Sequence, residues 1–192
     1  MRKFSQLIVD RFIFSDYIDF SAKVREFSRA LPETNQVDAL GKKVDEFVKE
    51  NIKANDIWLL VYSKEKNMFE SVWPYHNELS LKGDNPIIGL VIEGKGVLVR
   101  DEIMLKEKKT NLESNAIGEL QKTKSKIAVL IGDKNHLFGL ILVGEKDNSK
   151  LFSESDIKCL KDLADTLAYG LPQVVAAQRV MEGWGKTLIN ND

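Results

Sequence analysis

The feature that most constrains the fold is a pair of apolar segments in the second half of the chain. Residues 127–131 and Leu137–Val143 carry no polar or charged side chain. The polar residues Asp133, Lys134 and Asn135 lie between them, which predicts a tight hairpin with strands over residues 126–132 and 137–144. Strands that are apolar throughout belong to sheets covered on both faces. The chain is therefore expected to fold as a sheet between two layers of helices.

Helical periodicity precedes this sheet region. The apolar residues Phe20, Val24, Phe27 and Leu31 follow one another at steps of four, three and four, which predicts a helix that stops before Pro32. A second helix is predicted over residues 36–53, where apolar residues again recur on one face.

A long helix is expected to close the chain. It should begin at Ser153, because Ser153 and Asp156 have the spacing of a capping box. Gly170 and Pro172 are expected to interrupt it. Within the helix, nine positions at alternating steps of four and three form a heptad-like seam, imperfect at two of them. These seam positions are Leu160, Ala164, Leu167, Leu171, Val174, Gln178, Met181, Gly185 and Leu188.

The region between the early and late elements predicts a first hairpin followed by a mixed segment. Leu79 and Leu81 indicate a short edge strand after that hairpin. The other predicted elements are strands over 57–62 and Met68–Trp73, a short apolar helix over 87–92, a strand over 97–100, a charged loop over 101–115 and a short helix over 116–121.

Composition narrows the class of protein. Lys and Arg total 28 and Asp and Glu total 29, for a formal net charge of −1, which argues against nucleic acid as the main partner and against a polybasic membrane-surface module. The single cysteine, Cys159, excludes an intramolecular disulfide and favours a reducing, cytoplasmic compartment. No apolar stretch approaches the roughly 18 residues that span a bilayer, so direct membrane insertion is not expected.

No motif in the sequence meets the requirements of a catalytic or cofactor site. Residues 89–95 have the spacing of a phosphate-binding loop, but Gly96 stands where a magnesium-binding Ser or Thr is needed, and the predicted helix precedes the loop. His76 and His136 lie far apart in the sequence without an acidic cluster, so no metal site is predicted. Cys159 is interpreted as a buried, inert thiol. No cofactor is expected.

The order of these elements resembles that of the GAF domains of bacterial sensor histidine kinases. The residues that carry the resemblance are the Gly- and Leu-rich strand at 137–144, Lys146 after it, and Phe152 before the Ser153 and Asp156 pair. Residues 10–14, Asp-Arg-Phe-Ile-Phe, are similar to the linker that leads into such domains. The resemblance covers about residues 10–175, and its motifs specify a fold rather than a ligand.

The resemblance implies an α+β fold, an α/β sandwich. Its central antiparallel sheet should have five or six strands, with helices on both faces and helical N- and C-terminal extensions. It divides the chain into a linker segment over 1–17, a GAF-like sensory domain over 18–171 and a C-terminal signalling helix over 172–192.

In GAF domains, ligands lie between the sheet and the short helices and loops of the middle region. The resemblance therefore implies a pocket here for a small, mostly apolar or aromatic ligand. The alternative is that these residues fill the core and that Asp101 begins a solvated loop. The candidate ligand-binding residues are Trp73, Tyr75, His76, Ile88, Val91, Asp101 and Ile117.

The function implied is that of a non-catalytic input module of a two-component protein. It would bind a small ligand or a partner and pass the change through its flanking helices to a kinase or other output domain. The chain would form a parallel homodimer through its terminal helices, and the seam of the last helix would transmit the change across it. The seam residues given this role are Leu160, Leu167, Leu171, Val174, Met181 and Leu188. The alternative is a GAF scaffold without ligand, used for dimerisation or protein docking. An enzyme on this fold is a third hypothesis, which suffers from the lack of a convergent nucleophile and base.

Overall fold

Six antiparallel strands form one sheet, in agreement with the predicted five or six. The computed structural model describes residues 20–74 and 78–189, without the side chains of residues 148 and 182–189. The linker segment over 1–17 therefore lies outside the described residues. The strands are β1 Trp58–Ser63, β2 Met68–Trp73, β3 Ser80–Lys82, β4 Val97–Val99, β5 Ile127–Gly132 and β6 Leu137–Val143. Their order across the sheet is β3-β2-β1-β6-β5-β4.

Helices cover both faces of the sheet, which confirms the predicted layers. One face, called the long-helix face, carries α1 (residues 20–30), α2 (Val37–Asn51) and α6 (Glu154–Ile189). The other, called the short-helix face, carries α3 (Pro86–Glu93), α4 (Arg100–Met104) and α5 (Asn111–Lys122).

Alternate residues of the inner strands supply the two cores. Leu59 pairs with Ile141, and both side chains enter the core of the long-helix face. Their neighbours Leu60 and Leu140 also pair with each other and enter the core of the short-helix face. Because successive side chains of a strand point to opposite sides, strands buried on both faces must be apolar at every position.

The prediction of a loop over residues 101–115 is wrong. This segment contains α4 and the beginning of α5, which also makes α5 longer than the predicted helix over 116–121. Thr110 and Glu113 form a capping box at the start of α5: the Glu113 N–H donates to Thr110 Oγ1 at 3.1 Å, and the Thr110 N–H donates to Glu113 Oε2 at 2.8 Å. The Thr-x-x-Glu spacing signals a helix start even though the surrounding residues are charged.

The predicted start of α6 is confirmed. The Asp156 N–H donates to Ser153 Oγ at 3.2 Å, and the Ser153 N–H donates to Asp156 Oδ2 at 2.8 Å. Lys146 Nζ also lies 2.6 Å from Asp156 Oδ2, and both side chains are largely buried. The beginning of α6 is therefore fixed by a cap and an ion pair together.

The expectation that Gly170 and Pro172 interrupt the last helix is wrong, since α6 is continuous over its 36 residues. Pro172 has no N–H to donate to the carbonyl four residues earlier. Its neighbours Leu171 and Val174 are buried against the sheet, and this packing keeps the helix together across the missing bond. Gly170 faces Leu31, where a larger residue would collide with the leucine side chain.

The seam predicted along α6 faces the sheet in its first half. Its first five positions, Leu160 to Val174, are buried in the core of the same chain, so they are not available to the helix of a second copy. This corrects their assignment to a dimer seam. Gln178 accepts a hydrogen bond from the Val37 N–H at 3.0 Å, and Met181 is half-exposed. The surroundings of Gly185 and of the Leu188 side chain lie outside what the structure describes.

Candidate functional site

The short-helix face, where the resemblance implies a ligand pocket, is filled by side chains. Ile88 and Val91 of α3 are 1% and 0% exposed and belong to the core beneath this helix. Ile117 of α5 is half-buried and packs against the same core. The structure thus brings these three predicted residues together, in the arrangement that the core-filling alternative describes.

Trp73 lies on the opposite face of the sheet from Ile88 and Val91. Leu59 pairs with Trp73 while Leu60 pairs with Ser71, which leaves Val72 unpaired in a β-bulge. The extra residue turns Trp73 toward α2, because each residue inserted in a strand reverses the direction of the next side chain. Trp73 packs against Gly41, where an added Cβ would collide with it. One pocket cannot therefore contain the side chains of both Trp73 and Ile88.

Asp101 belongs to a charged network where β4 ends and β5 begins. Its carboxylate accepts from Lys126 Nζ at 3.2 Å, and Lys126 also lies 3.6 Å from Glu145. Arg100 donates from Nη1 to the Ser125 carbonyl at 3.0 Å, while its buried Nε has no hydrogen-bond partner in the described structure. Asp101 is thus a residue of an ion pair and does not belong to the core cluster of the α3 residues.

The two remaining predicted site residues, Tyr75 and His76, lie outside the described residues.

Open space is found instead on the long-helix face, beside the second half of α6. Two grooves of about 410 and 450 Å³, called the sub-helix grooves, lie between this part of α6 and the β1–β2 hairpin. Five residues line both of them. The shared residues are Val61, Tyr62, Glu65, Val175 and Arg179.

A further groove of about 590 Å³ lies between the end of α1 and α6. It is lined by Leu31, Thr34, Gly170 and the exposed Tyr169, among others. Most of its remaining walls are polar side chains of the loop after α1 and of α6. This groove follows the line of contact between two helices at the surface, and its described lining residues do not converge on one point as those of an active site do.

The structure offers no reactive thiol or metal cluster in the parts that it describes. Cys159 is 1% exposed, and burial raises the pKa of its thiol to about 12, with smaller contributions from Asp162 and Asp156. A thiol with so high a pKa is almost entirely protonated at neutral pH and is a poor nucleophile. Residues 20–74 and 78–189 contain no group of three His, Cys, Asp or Glu side chains placed to hold a metal ion.

Comparison with known proteins identifies the fold. No family model and no curated protein matches the sequence. Among solved structures, the GAF domain of a phosphoenolpyruvate-protein phosphotransferase from Coxiella burnetii is 17% identical, with a TM-score of 0.60, over 83% of this chain and 96% of that one. The GAF domain of a two-component sensor histidine kinase from Bacillus halodurans is 14% identical, with a TM-score of 0.52, over 74% of this chain and 97% of that one.

An enzyme has the same fold. The free methionine-R-sulfoxide reductase from Neisseria meningitidis, solved in complex with its substrate, is 12% identical, with a TM-score of 0.55, over 84% of this chain and 91% of that one. The chain therefore has the GAF fold, which is that of sensory domains in signalling proteins. Because one fold hosts several functions, the fold alone does not assign a ligand or an activity. The described helices include none that is long and apolar enough to cross a membrane.

Proposed function

We propose that this chain is a non-catalytic regulatory input domain that passes a signal through α6. The observation that carries the proposal is the course of this helix. Its first half is the central core element of the long-helix face, and the same unbroken helix continues to Ile189, beyond its last core residue Val174. A change in the packing of the core moves the first half, and a continuous helix carries that movement out of the domain.

The output that fits best is a histidine kinase or another signalling domain joined to α6, in a cytoplasmic two-component protein. The resemblance to kinase GAF domains supports this, as does the sensor histidine kinase GAF domain among the similar structures. A homodimer would form through the parts of the terminal helices that the core leaves exposed. Val180 and Met181, 55% and 46% exposed, supply apolar surface for it on α6.

The second candidate function is a scaffold without ligand. The filled core of the short-helix face favours it, because the place where the resemblance implies a pocket holds side chains. In this case the input would be a protein partner or the state of a neighbouring domain.

Native mass spectrometry and light scattering of the purified chain test these proposals together. We expect a dimer at micromolar concentration. The double variant Val180→Glu, Met181→Glu should weaken dimerisation by at least about tenfold, because it places charges in an apolar contact. Leu151→Glu is the matched control, since Leu151 is 76% exposed outside α6. A chain that stays monomeric at 100-fold higher concentration contradicts the dimer. A retained small molecule supports ligand sensing, whereas its absence in both dimer and monomer favours the scaffold.

A direct test of transmission is hydrogen exchange along α6. A destabilising change in the core, such as Leu167→Ala, should speed amide exchange in residues 175–189 as well as around the mutated site, because the two halves form one helix. Unchanged exchange beyond Val174 would contradict transmission through α6.

A further inference from the structure

The core of the long-helix face is incomplete at one corner of the sheet. Leu59, Ile131 and Ile141 on this face are fully buried. Val61 and Val72 point to the same side but are only half-buried. The reason is that α2 covers the other end of this hairpin, around Trp73, while the second half of α6 passes above the corner without filling it. This corner is the floor of the sub-helix grooves.

The walls of the grooves are aliphatic where they meet the sheet. Val61 and Val175 line both grooves, Val37 and Val72 are the further aliphatic side chains of the first, and Leu171 and the aromatic Phe138 are among the apolar side chains of the second. Glu70, which pairs with Val61, also lines the first groove. Volumes of about 410 and 450 Å³ lie within the range of small-molecule sites. The floor therefore suits an aliphatic chain, which would remove half-exposed valine surface from water.

The rim of the grooves has an excess of positive charge. Lys66 lies 2.8 Å from Glu70, so these two side chains neutralise each other. The pKa of Glu65 is lowered, first by a hydrogen bond from its own backbone N–H, then by Ser63, and more weakly by Arg179 and Lys64. The cations that remain at the grooves are Arg179 and Lys64. Glu65 is ionised and offsets one of these two charges, so one positive charge is left at the mouth of the second groove.

We propose that the sub-helix grooves bind an amphipathic carboxylate, with its aliphatic chain between α6 and the β1–β2 hairpin and its carboxylate at Arg179 and Lys64. The guanidinium of Arg179 can donate two parallel hydrogen bonds to such a head group. The site lies on the opposite face of the sheet from Ile88 and Val91, so it is distinct from the pocket that the resemblance implies.

A ligand in this place touches the output helix itself. Val175 and Arg179 lie on α6 just beyond its last core residue, Val174, and the ligand would join them to the hairpin. Binding would therefore fix the angle at which α6 leaves the domain. This consequence rests on the proposed function of α6, whereas the binding itself does not.

Titration of the full chain with decanoate, followed by methyl and amide NMR, tests the site. Saturable shifts should cluster at Val61, Val72 and Val175. Decanol keeps the chain and removes the charge, so it should bind more weakly than decanoate by about fivefold, as expected for a partly exposed ionic contact. Butyrate keeps the charge and shortens the chain, and it should produce no saturable shifts.

Two variants separate the roles of charge and space. Arg179→Gln should weaken decanoate binding by about fivefold and leave decanol binding unchanged. Arg29→Gln, at an exposed arginine of α1, is the matched control and should change neither. Val61→Trp should fill both grooves and weaken decanoate and decanol alike by at least about tenfold. Because Val61 is half-buried on a strand, where tryptophan is well accepted, this variant should still fold.

The proposal is overturned if decanoate produces no saturable shifts, or if the shifts lie at Ile88, Val91 and Ile117 on the short-helix face. Equal effects of Arg179→Gln and Arg29→Gln would overturn the role of the charge. Shifts in the grooves without any change in amide exchange over residues 175–189 would leave the site standing and contradict the transmission through α6. The two failures are thus distinguishable.

Discussion

Helices bury the side chains on the two faces of the sheet to different extents. On the short-helix face, α3 and α5 lie on strand side chains that are buried at the centre of the sheet, such as Ala128, Leu140 and Leu142, while Trp58, Tyr62 and Leu137 are half-buried. On the long-helix face, α1, α2 and α6 bury more residues yet leave a corner open beside α6. The difference shows that a long helix which continues beyond a sheet cannot follow its twist and cover every part of it. The long-helix face therefore leaves open space beside the second half of α6.

The largest expected effect is on the free energy of unfolding, when one residue from each face is replaced by alanine. Ile88→Ala should lower the free energy of unfolding by about 3 kcal/mol, because it opens a cavity in a filled core. Val61→Ala should cost only about 1 kcal/mol, since Val61 already borders open space. Urea unfolding measures both values. Equal costs would contradict the difference in packing between the faces.

The next prediction compares the two halves of α6. Asp156→Ala should cost about 2 kcal/mol, because it removes the cap and leaves Lys146 without its partner in a largely buried site. Gln178→Ala, in the second half of the helix, removes the hydrogen bond from the Val37 N–H and should cost about 1 kcal/mol. Thermal unfolding of both variants checks the order, and a larger loss for Gln178→Ala would show that α6 is held in its second half instead.

Two glycines sharpen the comparison further. Gly41→Ala should destabilise the protein by about 1 kcal/mol, because the added methyl group collides with Trp73 where α2 covers the hairpin. Gly118→Ala in α5 meets no atom within 4 Å and should stabilise by about 0.5 to 1 kcal/mol through helix propensity. Opposite signs in urea unfolding are the expected outcome. A stabilising Gly41→Ala would mean that α2 can move away from the sheet, and that the open corner extends to Trp73.

The smallest expected effect concerns the start of α5. A hydrogen bond from Lys106, together with that of the Thr110 N–H, lowers the pKa of Glu113 from 4.5 to about 2. The stability contributed by ionised Glu113 is therefore fully present above pH 4.5 and is lost as the pH falls from 4.5 toward 2. Lys106→Met should raise this pKa toward 4.5, whereas Lys108→Met should leave it unchanged. NMR titration of the Glu113 carboxyl group reads both, and an unchanged pKa in Lys106→Met would refute the role of that lysine.

Much of the fold could be predicted because burial leaves a periodic trace in the sequence. The continuous apolar runs of β5 and β6 required cover on both faces, and Ser153 with Asp156 marked the start of α6. The segment that forms α4 and the start of α5 was missed because it is rich in charge, its apolar residues Met104 and Leu105 are exposed, and its few buried ones, such as Ile103, show no period. Only the spacing of Thr110 and Glu113 carried the signal of a helix.

The candidate site was harder to predict than the fold. Ile88, Val91 and Ile117 pack in one core, since they lie on neighbouring short helices, but their role as ligand-binding residues stays a prediction. Trp73 does not lie in this core, because a one-residue bulge at Val72 decides its face. The open corner arises from the path of α6 above the sheet, which depends on tertiary packing. The one local hint is that Val175 and Val180 lie off the seam that runs through Leu171 and Val174.

Pro172 makes α6 easier to bend at this position. The missing N–H removes one bond of the helical ladder close to the point where the core ends, so bending there is less costly than elsewhere along the rod. The part of α6 that leaves the core, from Val175 to Ile189, is about 21 Å long at 1.5 Å per residue. A tilt of about 10° at Pro172 displaces the tip by about 4 Å, and a rearrangement of only a few atoms beside Val175 is enough to set that angle.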